Sequence, residues 1–326
     1  MLRIAGVLAI LVALYATLFI TNPNAVNASN LVDVANRQGF YGVLTLGVAI
    51  LIITGSIDLS MGSVVGLSAV GFGLMMSKGI HPFLALLVIL LGGAAIGCLH
   101  GLLVTRMKLQ AFLVTLCGLF VYRGMARYLS EKPIGLVTIQ KSHPEFQGPI
   151  DWLRLALIGK DGEGALNFPA QMFVLIVLAA IVGVILHKSV LGRYWYAIGY
   201  NESAAKYAGI STDQKRMISF VICSTLASLA GALFLLDVGT ADPTNAGETL
   251  ELYAITGAVL GGCSLKGGEG TAIGIVLGAA VLPLLRNVVS FLQIPDSIIP
   301  AVIGITLLLG TIADEFFRRR SSVGKK

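Results

Sequence analysis

Residues 83–104 read FLALLVILLGGAAIGCLHGLLV, a run that contains no acidic side chain and no Lys or Arg. A helix that crosses a bilayer needs about 20 consecutive, mostly apolar residues, so this stretch is long enough to cross in one pass. The whole sequence has the same character, with 56% hydrophobic and only 12% charged residues, whereas soluble domains average about 25% charged residues. The sequence therefore predicts an all-α polytopic membrane protein.

Ten apolar segments recur along the chain, with polar stretches between them. They cover residues 4–20, 39–53, 62–76, 83–104, 112–129, 171–186, 218–236, 252–260, 272–285 and 298–312. Several are shorter than the roughly 20 residues that one straight crossing requires, which indicates tilted, broken or re-entrant helices. We expect a single transmembrane domain, residues 1–326, with about ten membrane helices. The first segment exceeds the roughly 7–15 apolar residues of a signal peptide, which favours an uncleaved span.

The basic residues predict how the chain lies in the membrane. If all ten segments cross, both termini fall on one side, and that side also carries Arg3, the turn with Arg106 and Lys108, the loop 188–216 and the tail 318–320. Since cytoplasmic loops are enriched in Lys and Arg, we expect both termini and the loop 188–216 in the cytoplasm. The net charge of +6 reflects this asymmetry, and we expect no nucleic-acid partner.

The loop 130–170 then lies on the extracytoplasmic side. Its acidic residues, Glu131, Glu145, Asp151, Asp161 and Glu163, are balanced by basic ones. Nothing in it repeats or forms a recognisable domain. It is either a docking surface for an extracytoplasmic partner or a solvated connection, and the sequence leaves both open.

The most polar loop has its centre at residues 191–210, LGRYWYAIGYNESAAKYAGI. Asn201 is a good helix N-cap, Glu202 follows at the positive end of the helix dipole, and Gly209 can adopt the left-handed conformation that ends a helix. The helix between them has only about two turns, and isolated helices below about 12–15 residues are marginal in water. It therefore needs a surface on which to lie.

That surface has two candidates. Ala204 and Ala208, four residues apart, form a small-residue face beside Tyr207, which suits insertion into a groove of a partner. An ordinary loop helix packed on its own chain would have the same spacing, so the spacing alone does not decide between them.

A first break in the apolar pattern lies at residues 53–63, ITGSIDLSMGS. An acidic side chain between two apolar runs is costly in hydrocarbon, so Asp58 should face protein or water and have hydrogen-bond donors nearby. Ser60, Ser63 or the free N–H groups of a helix that begins near Gly62 could supply them. Asp58 is then a cap or turn residue, and the alternative is a direct role in a translocation pathway.

A second break lies at residues 261–270, GGCSLKGGEG. Its backbone groups would find no partners in lipid, which indicates a turn or a re-entrant element. One break lies in each half of the chain, as expected for a translocation site built on discontinuous helices or for an inner gate. The gate or pathway candidates are Ser56, Asp58, Ser60, Ser63, Ser264, Gly267 and Gly268.

Three stretches together resemble one family, the inner-membrane permeases of bacterial monosaccharide ABC importers of the ribose and xylose type. They are the loop around residues 192–210, the first break, which is similar to the family signature Gly-x-Ile-Asp-Leu-Ser-x-Gly-Ser, and the second break, where Cys263 stands at a position at which Thr is common. The resemblance implies a short coupling helix that sits in a cleft of the ATP-hydrolysing subunit. The residues that carry this implied coupling loop are Gly192, Tyr196, Gly199, Asn201, Glu202, Ala204, Ala205, Ala208 and Gly209.

The resemblance also implies the partners. The permease would pair with a second copy or a related permease in the bacterial inner membrane, among membrane lipid, and bind two ABC ATPase subunits inside. It would receive a monosaccharide from an extracytoplasmic sugar-binding protein outside. The sequence contains no GxxxxGK[ST] phosphate loop, so ATP should be bound by the partner ATPase, and no metal, cofactor or enzymatic activity is expected for this chain.

Two other functions remain open. One is an ABC permease for branched-chain amino acids or nucleosides, against which the run Ile198-Gly199-x-Asn201 favours the sugar branch. The other is an ATP-independent secondary transporter or an intramembrane enzyme. An ion-coupled carrier usually needs ionisable groups inside its spans, and few appear within the apolar segments.

Overall fold

The computed structural model describes residues 2–21, 25, 27–160, 168–302, 304, 305 and 308. The fold is all-α, as the sequence predicts. The helices are α1 (Leu2–Thr21), α2 (Ala28–Ile53), α3 (Met61–Ser77), α4 (Pro82–Thr105), α5 (Ala111–Leu129), α6 (Leu136–Ser142), α7 (Gln147–Leu157), α8 (Ala170–Lys188), α9 (Val190–Tyr200), α10 (Glu202–Tyr207), α11 (Thr212–Val238), α12 (Leu250–Leu260) and α13 (Ala272–Phe291). The strands β1 (Ile134–Gly135) and β2 (Thr240–Ala241) form a single antiparallel pair.

Six helices in the described part of the chain are long and apolar enough to cross a membrane, namely α2, α4, α5, α8, α11 and α13. The apolar helices α1, α3 and α12 coincide with three further predicted segments. Nine of the ten predicted segments are therefore helical. The tenth, 298–312, lies mostly outside the described residues, and the tail 318–320 lies wholly outside them.

Helices α2 and α11 form the centre of the bundle. Residues 39–53 of α2 are buried, and α2 packs against α8, α11, α12 and α13. On its other side α11 packs against α3 and α4. Hydroxyl groups join these helices, because Ser228 of α11 donates to the carbonyl of Ile89 in α4 at 2.6 Å and lies 2.8 Å from the hydroxyl of Ser68 in α3. Interhelical hydrogen bonds of this kind stabilise helix pairs in membranes.

The segment 130–170 is more structured than the sequence indicates. It contains β1, α6, a 3₁₀ turn (Pro144–Phe146) and α7, and it buries Leu136, Ile139, Phe146 and Ile150. Strand β1 pairs with β2 at the end of α11, and α7 packs against α4, α8 and α11. The segment therefore closes one end of the bundle, although Asp161 and Glu163 lie outside the described residues.

Helices α3 and α12 begin inside the bundle, not at its surface. The 11 residues of α12 span about 16 Å at 1.5 Å per residue, which is well short of a hydrocarbon core of about 30 Å. Gly62, in the first turn of α3, lies so close to the Glu251 carboxylate and the Gly247 carbonyl that a Cβ at Gly62 would collide with both. The structure therefore shows that the α12 segment is too short for one straight crossing, and crossing by broken helices stays a prediction.

Candidate functional site

Helix α10 has the caps that the sequence predicts. The Asn201 side chain accepts a hydrogen bond from the Ala204 N–H at 3.0 Å, which satisfies one of the free donors of the first turn. At the other end Gly209 has φ of 81°, the left-handed conformation that glycine adopts readily. Helix α9 precedes α10 with Asn201 as the only residue between them, and Ser189 caps α9 by accepting from Gly192 N–H at 3.2 Å.

Ion pairs tie α10 to the bundle. The Glu202 carboxylate lies 2.8 Å from Lys206 Nζ on the next turn and 2.8 Å from Arg216 Nη2 on α11. Partial burial alone would raise the pKa of the Glu202 carboxyl. The hydrogen bonds from Lys206 and Arg216 outweigh this effect, so the pKa of Glu202 lies below its ordinary value. The carboxylate is therefore charged at neutral pH and holds α10 against α11.

One side of α10 packs on its own chain and another side is open. Ala205 is buried at 4% exposure, whereas Ala204 and Ala208 are exposed and Tyr207 is 94% exposed. The helix therefore lies on its own bundle, as one of the two alternatives predicts, and its small-residue face is open. Insertion of that face into a partner stays a prediction. A wide exposed aromatic ring beside small residues is a shape suited to a protein contact.

The last turn of α9 contacts both breaks. Gly199 lies so close to the Ile53 carbonyl and the Gly268 N–H that a Cβ at Gly199 would collide with both. The Gly268 N–H in turn donates to the Ile53 carbonyl at 2.9 Å. We call the cluster of Ile53, Gly199, Gly267 and Gly268 the glycine junction. The three backbone segments can approach so closely because the glycines on two of them have no side chain, while Ile53 contributes its carbonyl.

Further contacts hold the glycine junction together. Tyr196 of α9 donates its hydroxyl to the Gly270 carbonyl at 2.7 Å. Within the second break, Ser264 Oγ accepts from the Lys266 N–H at 3.4 Å, and Gly267 has φ of 87°. Within the first break, Ser56 is buried and its N–H donates to the Leu51 carbonyl at 3.1 Å. The ends of both breaks are therefore fixed to α9.

Asp58 closes a turn within the first break. Its Oδ1 accepts hydrogen bonds from the Ser60 N–H at 2.7 Å and the Ser60 hydroxyl at 2.6 Å. Ser63 donates to the Ser60 carbonyl instead of to Asp58. Of the two structural roles expected for Asp58, the turn role is the one observed, because Ser60 is the residue that directly precedes α3.

The second oxygen of Asp58 faces a histidine. His100 of α4 lies with Nδ1 3.8 Å from Asp58 Oδ2, and its Nε2 is 2.9 Å from the Tyr122 hydroxyl of α5. Asp58 and His100 are 0% and 1% exposed. If Tyr122 donates to Nε2, the imidazole proton lies on Nδ1 and is directed at Asp58. No local sequence signal indicates this cluster, since its members lie on three separate elements.

A further charged cluster lies where α3 and α12 begin. Glu251 is 7% exposed and packs against Gly62, so its carboxylate lies near the N-terminal ends of two helices, where the dipoles favour negative charge. Nε and Nη2 of Arg123 in α5 are buried, and neither atom makes a hydrogen bond within the described chain. Glu251 is therefore a buried ionisable group in addition to Asp58, and Arg123 is a partly buried one. Glu251 directly precedes the predicted segment 252–260, and Arg123 lies within the segment 112–129.

The family described as "Branched-chain amino acid transport system / permease component" matches residues 30–310. The chain belongs to this permease family. It is 30% identical to the ribose import permease protein RbsC of Escherichia coli K12 over 94% of this chain and 91% of that protein. It is 31% identical to RbsC of Bacillus subtilis over 90% and 87%, and 28% identical to the fructose import permease protein FruF of Bifidobacterium longum over 86% and 76%. No solved structure matches the chain.

Most of the predicted site residues of the permease lie in three groups. Ala204 and Ala208 lie on the exposed face of α10. Tyr196 and Gly199 meet Gly267 and Gly268 in or beside the glycine junction. A third group lies in or beside the first break and consists of Ser56, Asp58, Ser60 and Ser63.

Gly192 of the permease belongs to none of these groups. A Cβ there would collide with the carbonyls of Ile185 and Leu186, so Gly192 allows α9 to turn sharply against α8. Sequence reasoning placed it in the coupling loop, and its observed contacts are those of a packing residue.

Proposed function

We propose that this permease forms the membrane pathway of a sugar ABC importer and that a separate ATPase powers it. The observation that carries the proposal is the open face of Ala204, Tyr207 and Ala208 on a helix that is otherwise fixed to the bundle. A docking element must present a surface to its partner and transmit force to its own chain. Helix α10 has both properties, since Glu202 ties it to α11 and Asn201 joins it to α9.

The glycine junction provides a route from the docking face to the pathway. Helix α9 contacts Ile53 at the end of α2 and Gly268 in the second break, so a displacement of α10 would move both breaks together. The ATPase would shift the equilibrium between two states of the pathway by binding one of them more tightly. Asp58 lies within the first break, and the second break lies between α12 and α13.

The distribution of basic residues indicates the orientation of the permease in the membrane. The end of the bundle that carries α9 and α10 also carries Arg106, Lys108, Arg193, Lys215 and Arg216, and the positive-inside rule places this end in the cytoplasm. The opposite end, closed by α6 and α7, would then meet a sugar-binding protein. We place both termini in the cytoplasm of a bacterium and expect two permease chains in each importer.

A branched-chain amino acid importer is the second candidate. It is supported by the description of the matching family. A sugar is favoured because several relatives at 28–31% identity, which cover most of the chain, are named ribose or fructose import permeases.

Uptake into proteoliposomes tests the proposal. The permease is reconstituted with its cognate ATPase and binding protein, and uptake of labelled D-ribose, D-xylose, D-fructose and L-leucine is measured with and without enclosed ATP. We expect ATP-dependent uptake of at least one sugar. ATP-dependent uptake of leucine alone would establish the second candidate, and uptake driven by an ion gradient without the ATPase would refute both.

A further inference from the structure

A cavity of about 510 Å³ lies at the end of the bundle opposite α9 and α10, between α2, α11 and α13. Helix α2 connects the two ends, because Asp33 near its start lines the cavity and Ile53 at its end lies in the glycine junction. These two residues are separated by about 30 Å along the helix at 1.5 Å per residue. The volume is in the range of about 300–1,000 Å³ that is usual for small-molecule sites.

Aromatic rings form one wall of this cavity. Phe40 and Tyr41 of α2 meet edge to face with ring centroids 5.3 Å apart, and Phe40 lies 6.3 Å from Phe234 of α11. Phe40 and Tyr41 are each 9% exposed, so packing holds them in place. A sugar ring has an apolar C–H face that such a wall can cover, while its hydroxyl groups require polar partners.

Fixed polar groups form the rest of the lining. The Asp237 carboxylate lies 2.6 Å from Lys160 Nζ and accepts from Gln171 Nε2 at 3.1 Å, so its position is determined by α8 and by Lys160, three residues after the end of α7. Asp33 and Arg37, one turn apart on α2, line the cavity and remain exposed. A carboxylate has two acceptor oxygens and a guanidinium group has paired N–H donors, so each can form hydrogen bonds to two neighbouring hydroxyls.

Arg286 closes the cavity on the α13 side. Its guanidinium carbon lies 4.8 Å from the centroid of the Tyr253 ring, and its Nη2 donates to the Tyr253 hydroxyl at 2.9 Å. This cation–π contact positions the guanidinium. The lining holds the cations of Arg37, Lys160 and Arg286 and two carboxylates, a nearly balanced set that suits a neutral polar ligand better than a multiply charged one.

We propose that this cavity binds a sugar or a similar neutral polyol within a single permease chain, at the end that receives solute from outside. The choice of a sugar rests on the proposed function, whereas the existence of the site rests on the cavity and its lining. None of the predicted gate or coupling residues lines it. It would act as a first acceptor site, separate from the glycine junction.

Binding to the full-length permease alone tests the site. The chain is placed in nanodiscs without ATPase or binding protein, and saturation-transfer NMR is recorded with D-ribose and D-fructose, with L-leucine and inorganic phosphate as competitors. We expect a saturable sugar signal that neither competitor removes. Asp33→Asn should weaken binding about tenfold, the usual cost of one hydrogen bond to a charged group. Phe234→Leu should also weaken it, and Glu131→Gln, an exposed carboxyl outside the cavity, should not.

Four results would overturn the inference. They are the absence of a sugar signal, a sugar signal that Asp33→Asn and Phe234→Leu both leave unchanged, saturable leucine binding without sugar binding, and displacement of the sugar by phosphate. Thermal unfolding of each variant shows whether the fold persists, and Asp33 is exposed enough for its amide variant to fold. Because no ATPase is present, failure of ATPase association in a separate experiment would refute the proposed function and leave the binding result standing.

Discussion

Gly199→Ala tests the glycine junction. The new methyl group would collide with the carbonyl of Ile53 and the N–H of Gly268. Both are backbone atoms, so no side chain can rotate away, and α9 must shift from the breaks. Overpacking of this kind costs about 1–3 kcal/mol, while alanine in a helix gains up to about 1 kcal/mol over glycine. The net cost, about 0–2 kcal/mol, is small compared with the free energy of unfolding. It is large for the equilibrium between two states of the pathway, because it changes the equilibrium constant by a factor of up to about 30.

The assay compares ATP hydrolysis with sugar uptake in proteoliposomes. We expect Gly199→Ala to insert and to bind the ATPase, and to transport fewer sugar molecules per ATP than the parent protein. Gly124→Ala is the matched control, since an added Cβ there meets no atom within 4 Å. If Gly199→Ala has normal uptake per ATP, the glycine junction does not transmit motion and the reasoning is refuted.

Three further predictions concern the Asp58 turn, the Glu202 ion pairs and the open face of α10. Asp58→Asn should keep most transport but lower stability by about 1–3 kcal/mol, because a neutral amide oxygen replaces the charged acceptor of both Ser60 hydrogen bonds; complete loss of uptake with unchanged thermal unfolding would instead indicate a pathway role. The pKa of the Glu202 carboxyl is lowered in the folded protein, so its ion pairs stabilise α10 fully above the unfolded-state pKa, about 4.3. This stabilisation is lost as the pH falls through the folded-state pKa. Hydrogen exchange of α10 should therefore rise at acid pH by the equivalent of up to about 1 kcal/mol, and an equal rise in Glu202→Gln would contradict this. Ala208→Trp should abolish ATPase association while membrane insertion persists, whereas Ala180→Trp on α8 should leave association intact.

The features that could be predicted from the sequence are local ones. A run such as 83–104 contains its own evidence for a membrane helix, because length and apolarity decide it. The caps at Asn201 and Gly209 were also predictable, since each depends on a side chain or a backbone conformation within one turn. The breaks could be located because Gly-rich polar residues cannot continue a helix in lipid.

The features that could not be predicted depend on contacts between distant residues. The histidine that faces Asp58 comes from α4, and the tyrosine bonded to that histidine comes from α5. The ion pair that holds α10 comes from Arg216 on α11. The same limit explains the segment 130–170. Its short helices become stable only when they pack on the end of the bundle, since helices of 7 and 11 residues have little stability alone.

The central claim is that the open face of α10 binds the ATPase of a sugar importer. The most direct test replaces Tyr207 with a photo-crosslinking phenylalanine in the tagged chain, followed by irradiation in native membranes, purification and identification of the crosslinked protein. Tyr128 on α5, which is 90% exposed, is the control position for Tyr207, which is 94% exposed. We predict a crosslink to an ABC ATPase from Tyr207 and none from Tyr128, with a sugar-type binding protein among the co-purified proteins. Repeated recovery of the chain without an ATPase crosslink, under conditions that preserve known complexes, would contradict the account.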